Sequence, residues 1–152
     1  MRVFTSAEEI LAAVGTEIGK SEWLTITQER VNQFAEATGD HQWIHLDVER
    51  AKNESPYGGT IAHGFLTLSL VPFLTAQIFR IEGAKMGINY GSNKVRFPSP
   101  VLVGSSVQLT STLAESNDLG DGALQNTFTH VISVEGATKP ALVLEMVTRV
   151  IF

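Results

Sequence analysis

The chain of 152 residues has no cysteine. That removes a disulfide scaffold, a thiol nucleophile and cysteine-ligated zinc. Basic residues are also scarce: 11 Lys and Arg face 16 Asp and Glu, a net charge of -5. The dominant basic face of a nucleic-acid binder is therefore missing, and nucleic acid is not an expected partner. A small anionic ligand, which needs only local cations, stays open. Charged residues are only 18% of the chain, but hydrophobic residues make up 43%. This is ordinary globular composition and excludes a wholly disordered or collagen-like chain. An uninterrupted apolar leader is lacking too, because Glu8 and Glu9 fall where a signal peptide needs apolar residues. A cytoplasmic location is expected, and the sequon Asn53-Glu54-Ser55 is then a chance match.

Residues 60–79 hold no Asp, Glu, Lys or Arg, a length that could span a bilayer. His63, Gly64, Thr67, Ser69, Pro72, Thr75 and Gln77 interrupt it, and no basic cluster flanks it. It fits a helix buried on most of its circumference inside a water-soluble domain, so no membrane partner is expected. The length suits one domain over residues 1–152, able to bury roughly two-thirds of its unfolded surface.

Local signals order the rest. Ser6-Ala7-Glu8-Glu9 has the form of a capping box, followed by Ile10, Leu11 and Val14, and predicts a short helix ending at Gly15. Residues 22–26 read as a strand. Thr27 caps a second helix through Val31, Phe34 and Ala35, stopped by Gly39. A polar stretch follows, with a short helix near 47–53 and turns at Ser55-Pro56 and Gly58-Gly59. The apolar helix is expected over 61–80, roughly 30 Å long, with Pro72 able to kink it. Then the period becomes two. Residues 88–97 and 139–152 read as strands, and 107–113 and 124–134 as a hairpin across 117–122. Helices early and strands late argue α+β: a strongly curved antiparallel sheet around one long central helix.

Chemistry concentrates in Gly39-Asp40-His41-Gln42-Trp43-Ile44-His45, with His63 not far beyond. An Asp and a His in one loop can hold a water between them and move its proton. On spacing alone, a loop in which Asp40 bonds backbone and the histidines face solvent is the stronger reading. In Thr60-Ile61-Ala62-His63-Gly64-Phe65, free N–H groups at a helix start can stabilise an oxyanion. Gly64 equally suits tight helix packing.

These residues resemble a known family. Phe34 to Asp47 (FAEATGDHQWIHLD) with Gly58 to Phe65 (GGTIAHGF) is similar to the MaoC-like dehydratases, which include the (R)-specific enoyl-CoA hydratases. Asn89-Tyr90-Gly91 and Lys94-Val95-Arg96-Phe97-Pro98 fit the nodulation-protein-N-like branch. The similarity runs from about Ser21 to the C-terminus. The resemblance implies a hot-dog fold, a homodimer formed by pairing sheets edge to edge, and an Asp-x-Asn-Pro-x-His motif. Asp40 and His45 take its acid–base positions, Gln42 replaces Asn and Trp43 replaces Pro. Asp47 fits the acidic residue that often follows. The family also implies an oxyanion role for the Gly64 N–H. This reverses the balance on Asp40 and His45.

The expected activity is reversible hydration of a trans-2-enoyl-CoA to an (R)-3-hydroxyacyl-CoA, in fatty acid metabolism, with Asp40 and His45 as catalytic residues. Gly64, His63, Trp43, Tyr57, Lys94 and Arg96 are candidates for substrate binding. Trp43 walls the acyl pocket, Tyr57 shapes its entrance, and Lys94 and Arg96, with Lys85 upstream, lie where CoA phosphates need cations. No cofactor is expected, since CoA belongs to the substrate. No metal is expected either; the spacing of Asp40, His41 and His45 does not establish convergent ligands. His130, on the apolar face of its strand, reads as a satisfied core or interface histidine. Two alternatives use the same ligand: a hot-dog acyl-CoA thioesterase and a non-catalytic acyl-CoA binding protein.

Overall fold

The computed structural model describes residues 1–152. Along the chain run β1 (Arg2–Phe4), α1 (Ala7–Ala12), β2 (Thr16–Lys20), β3 (Leu24–Thr25), α2 (Gln28–Thr38), α3 (Trp43–Leu46) and α4 (Val48–Glu54). They are followed by α5 (Gly64–Ser69), α6 (Val71–Ile78), β4 (Phe79–Ile81), β5 (Met86–Arg96), β6 (Ser106–Gly120), β7 (Ala123–Val134) and β8 (Leu142–Ile151).

Period-two alternation builds the sheet. Val107, Leu109 and Leu113 on β6, Leu124, Phe128 and Ile132 on β7, and Leu142, Leu144 and Val147 on β8 are buried. Most residues between them are half-exposed. Shifting any of these strands by one residue would turn its apolar set to water. The order is β2-β6-β7-β8-β5, antiparallel throughout, with β3 also on β6. The covered face of this sheet meets Leu66, Leu70, Val71, Leu74 and Ile78 of α5 and α6 in one core of 22 buried residues. Each fully buried aliphatic side chain is worth about 1.5–3 kcal/mol relative to exposure. The antiparallel sheet around central helical segments agrees with the α+β expectation. No helix is long and apolar enough to cross a membrane.

The expected single helix over 61–80 is corrected on three counts. Ile61 is bridged to Leu102 and Ala62 N–H donates to Val101 C=O, so the helix starts only at Gly64. It divides between α5 and α6 at Leu70, because Pro72 in the first turn of α6 has no N–H to continue the ladder. It ends at Ile78, where Phe79 turns extended and β4 pairs in parallel with β1.

Local punctuation behaves as expected. The Thr27 side chain accepts from Arg30 N–H, and Gly39 closes α2 in the left-handed region. The hairpin loop is shorter than the expected 117–122. β6 and β7 pair as far as Gly120 and Ala123, leaving Asp121-Gly122, both with positive φ, as a two-residue turn. The expected strand 22–26 shrinks to β3, and the longer pairing segment is β2, a few residues earlier.

Candidate active site

Asp47 makes the loop after α2 fold back. Its side chain caps α4 by accepting from Arg50 N–H at 3.0 Å, while its own N–H donates to Trp43 C=O at 2.9 Å. The single turn α3 is thus pinned behind α4, and His45 on that turn is buried. Gln28, at the start of α2, secures it from the other side. Its Nε2 donates to His45 C=O at 2.7 Å, and its Oε1 accepts from the Thr60 hydroxyl at 2.6 Å. Nothing in the sequence singled out Gln28, because its two partners lie 17 and 32 residues away.

His45 Nδ1 lies 2.7 Å from Ile61 C=O. A carbonyl can only accept, so Nδ1 carries the proton and neutral His45 presents Nε2 as an acceptor. Burial is the largest cause lowering its pKa from the usual imidazole value. The neighbouring His63 adds to this, while the Ile61 carbonyl and Asp40 act in the opposite sense. His63 is also buried and stacks on His45, with ring centroids 3.8 Å apart at 27°. Phe34 packs against His63 with a centroid distance of 5.0 Å. His63 Nε2 donates to Asp40 C=O at 3.0 Å and so ties the Asp40 loop to the start of α5. Polar atoms of Asp40, His45 and His63 all lie within 4.8 Å of one another. Two groups at such a separation can share one water, each at hydrogen-bond distance.

Asp40, His45 and His63 also have the spacing of a metal ligand set, with one ligand atom from each. His41 lies outside this cluster, with Nε2 3.0 Å from Glu36 Oε1 at the surface.

A cleft of about 290 Å³ opens beside His45, lined also by Tyr57, Gly64, Thr67, Phe97 and Val101 among others. Gly64 starts α5, whose cap residue His63 offers no side-chain acceptor, and no protein group accepts the Gly64 N–H. A Cβ on Gly64 would meet the Phe97 ring at 3.3 Å. The glycine therefore permits both the close packing and an exposed donor.

The structure thus gathers Asp40, His45 and His63 in one cluster, and His45, Tyr57 and Gly64 along one cleft. It does not put the others there. Trp43 is corrected as a pocket wall: it is absent from the cleft lining, and the Arg50 guanidinium covers its ring at 4.2 Å. Lys94 and Arg96 are exposed on β5, outside the lining, though Arg96 directly precedes Phe97. Lys85 is engaged by Phe152 C=O. His130 is fully buried but not satisfied, since neither ring nitrogen has a hydrogen-bond partner.

An antiparallel sheet wrapped on a broken central helix defines a hot-dog protein. The sequence matches the MaoC like domain over residues 9–135. It is 55% identical over 149 residues to 3-hydroxyacyl-thioester dehydratase Z of Mycobacterium tuberculosis (strain ATCC 25618 / H37Rv), covering 98% of both chains. It is 43% identical to Nodulation protein N of Rhizobium leguminosarum bv. viciae, covering 97% of this chain and 92% of the other. The similarity thus reaches further toward the N-terminus than Ser21. Among solved structures, the (R)-hydratase from A. caviae involved in PHA biosynthesis superposes with a TM-score of 0.71 at 26% identity, covering 88% of this chain and 96% of that one. The chain belongs to the MaoC-like dehydratase family and is an enzyme of the hydro-lyase class.

Proposed function

We propose that the protein is an (R)-specific enoyl-CoA hydratase, adding water reversibly to a trans-2-enoyl-CoA to give an (R)-3-hydroxyacyl-CoA. The observation that carries this is the placement of Asp40 and neutral His45 within reach of one water, with the unpaired Gly64 N–H on the same cleft as His45. The thioester carbonyl accepts from the Gly64 N–H, which stabilises the negative charge that builds on oxygen as C3 is attacked. The water donates one hydrogen bond to His45 Nε2 and one to the Asp40 carboxylate. Its oxygen bonds to C3, Asp40 takes the proton, and Asp40 returns it to C2. The enzyme's charge is then the same before and after turnover. These steps use the Asp40 and His45 side chains and the Gly64 backbone N–H.

The likeness to proteins named as a 3-hydroxyacyl-thioester dehydratase and an (R)-hydratase supports this reading. Gln42 and Trp43 stand where the family motif has Asn and Pro, and Trp43 packs under Arg50 outside the cleft. The reading includes a homodimer. β5 is an edge strand with Met86, Ile88 and Tyr90 exposed, and an unpaired edge of this kind calls for cover.

The test follows conjugated enoyl absorbance with crotonyl-CoA and one longer enoyl-CoA, then product configuration and free CoA. Loss of absorbance with an (R)-3-hydroxy product is expected. Release of free CoA would instead identify a thioesterase, and binding without turnover a non-catalytic binding protein.

A further inference from the structure

Asp40 stands in a segment with little of its own to hold it. Asp40 and His41 lie between α2 and α3, outside any helix or strand, and neither makes a backbone–backbone hydrogen bond. Asp40 is exposed, so packing does not fix it either. Its carboxylate accepts locally, from Gln42 N–H at 3.4 Å, and His41 reaches back to Glu36 at the surface. The hydrogen bond that ties Asp40 to a distant part of the chain comes from His63 Nε2 to Asp40 C=O, across 23 positions.

His63 is itself firmly held. It is 2% exposed, and its ring packs against both Phe34 and His45. Because a carbonyl only accepts, Nε2 carries the ring proton. Nδ1 is buried without a partner and presents no surface to a substrate. The backbone of His63 caps α5, so the next N–H along the chain is that of Gly64. One residue thereby grips the Asp40 backbone, stacks on His45 and precedes the Gly64 donor. Groups that act together on one substrate must be held in mutual register by side chains whose own rotamers are locked.

We infer that His63 is a positioning residue: it touches no substrate, and its Nε2–H bond to Asp40 C=O sets where the Asp40 carboxylate lies relative to the Gly64 N–H. The inference rests on the hydration reading and adds the residue through which its acid–base group and its oxyanion donor are kept in register.

The test compares two variants of the full chain. His63→Phe keeps a ring against Phe34 and His45 but has no donor. His63→Gln keeps an N–H donor but loses the ring. With crotonyl-CoA, His63→Phe is expected to lower kcat about 10- to 100-fold, the scale of a misplacement of about 1 Å, with KM little changed. His63→Gln is expected to recover most of that kcat. A residue needed only for packing would give the reverse order, and a substrate contact would raise KM; either result overturns the inference. Two NMR measurements need no turnover. The His63 ring ¹⁵N shifts of the unaltered chain should place the proton on Nε2, and backbone ¹⁵N relaxation should show residues 40–42 loosened in His63→Phe but not in His63→Gln. A proton on Nδ1, or unchanged relaxation in His63→Phe, overturns the inference. The ring-proton measurement uses the unaltered chain, so it decides even where a variant fails to fold. If both NMR results hold while the unaltered chain hydrates no enoyl-CoA, the hydration reading falls and the tie from His63 to Asp40 stands.

Discussion

Two buried histidine environments occupy opposite ends of the central helix, and they differ in how their nitrogens are spent. At the α5 end, His45 and His63 each give one N–H to a backbone carbonyl, of Ile61 and Asp40 respectively. That fixes both tautomers and leaves His45 with an outward-facing acceptor. At the α6 end, His130 has no protein partner on either nitrogen and no charge-based cause in its lowered pKa, only burial. The first arrangement leaves one imidazole nitrogen of His45 open as an acceptor. The second leaves an imidazole neutral and unsatisfied, an energetic cost the fold carries at a cavity wall.

The strongest way to break the comparison is at the first end. Asp40→Asn and His45→Gln should each lower kcat for enoyl-CoA hydration by roughly 100- to 10,000-fold, the range for one positioned acid–base group. Circular dichroism should show both variants folded. Near-full rates would remove the assignment.

Next in size is the pH dependence of stability set by His130. Its folded pKa of about 4 lies below the ordinary imidazole value of 6.5. Between these values the unfolded chain binds more protons, so stability is full above about 6.5 and is lost as pH falls toward about 4. The total is about 3 kcal/mol from the size of the shift. Thermal melts across this window should show the slope, and His130→Phe should flatten it. Parallel slopes in both proteins would show that other groups carry the acid sensitivity.

A smaller effect belongs to Gln28. Gln28→Ala leaves the His45 carbonyl and the Thr60 hydroxyl without their partner, at a cost of about 1–3 kcal/mol in stability. Because it holds α3, kcat should fall more than KM changes. Restoration by Gln28→Glu is not expected, since a carboxylate cannot donate to His45 C=O. Equal stability of the alanine variant would show that α3 is held by Asp47 alone.

The smallest effect concerns exposed Lys94. If it meets CoA phosphate, Lys94→Ala raises KM a few-fold with kcat unchanged, the signature of uniform binding loss. Unaltered kinetics would leave it an ordinary surface cation.

What was legible follows from range along the chain. Caps at Thr27 and Gly39 and the alternation in β6, β7 and β8 are written within a few residues, and the antiparallel sheet and its helical core follow from them. Pro72 was visible as a break, but not that Ile61 and Ala62 would leave the helix to bond Ile44, Leu102 and Val101. The β1–β4 pair was not legible at all. It joins two three-residue segments more than 70 positions apart, too short to carry a period. At the site, Asp40, His45 and Gly64 came from motif and resemblance. The His63 bond to Asp40 C=O, the Gln28 bridge and the Arg50 cover on Trp43 are contacts between side chains and groups that only folding brings together. His130 was placed correctly inside, but its lack of partners depends on every neighbouring strand.

The central claim is that His45 stays neutral and keeps Nε2 open as the acceptor that holds the reacting water. The most direct test is an NMR titration of the His45 ring alongside the pH profile of kcat/KM for crotonyl-CoA. The account predicts a His45 pKa below 6.5, with activity lost as pH falls through that same value. A pKa at or above 6.5, or an acid limb that does not follow the His45 titration, would contradict it.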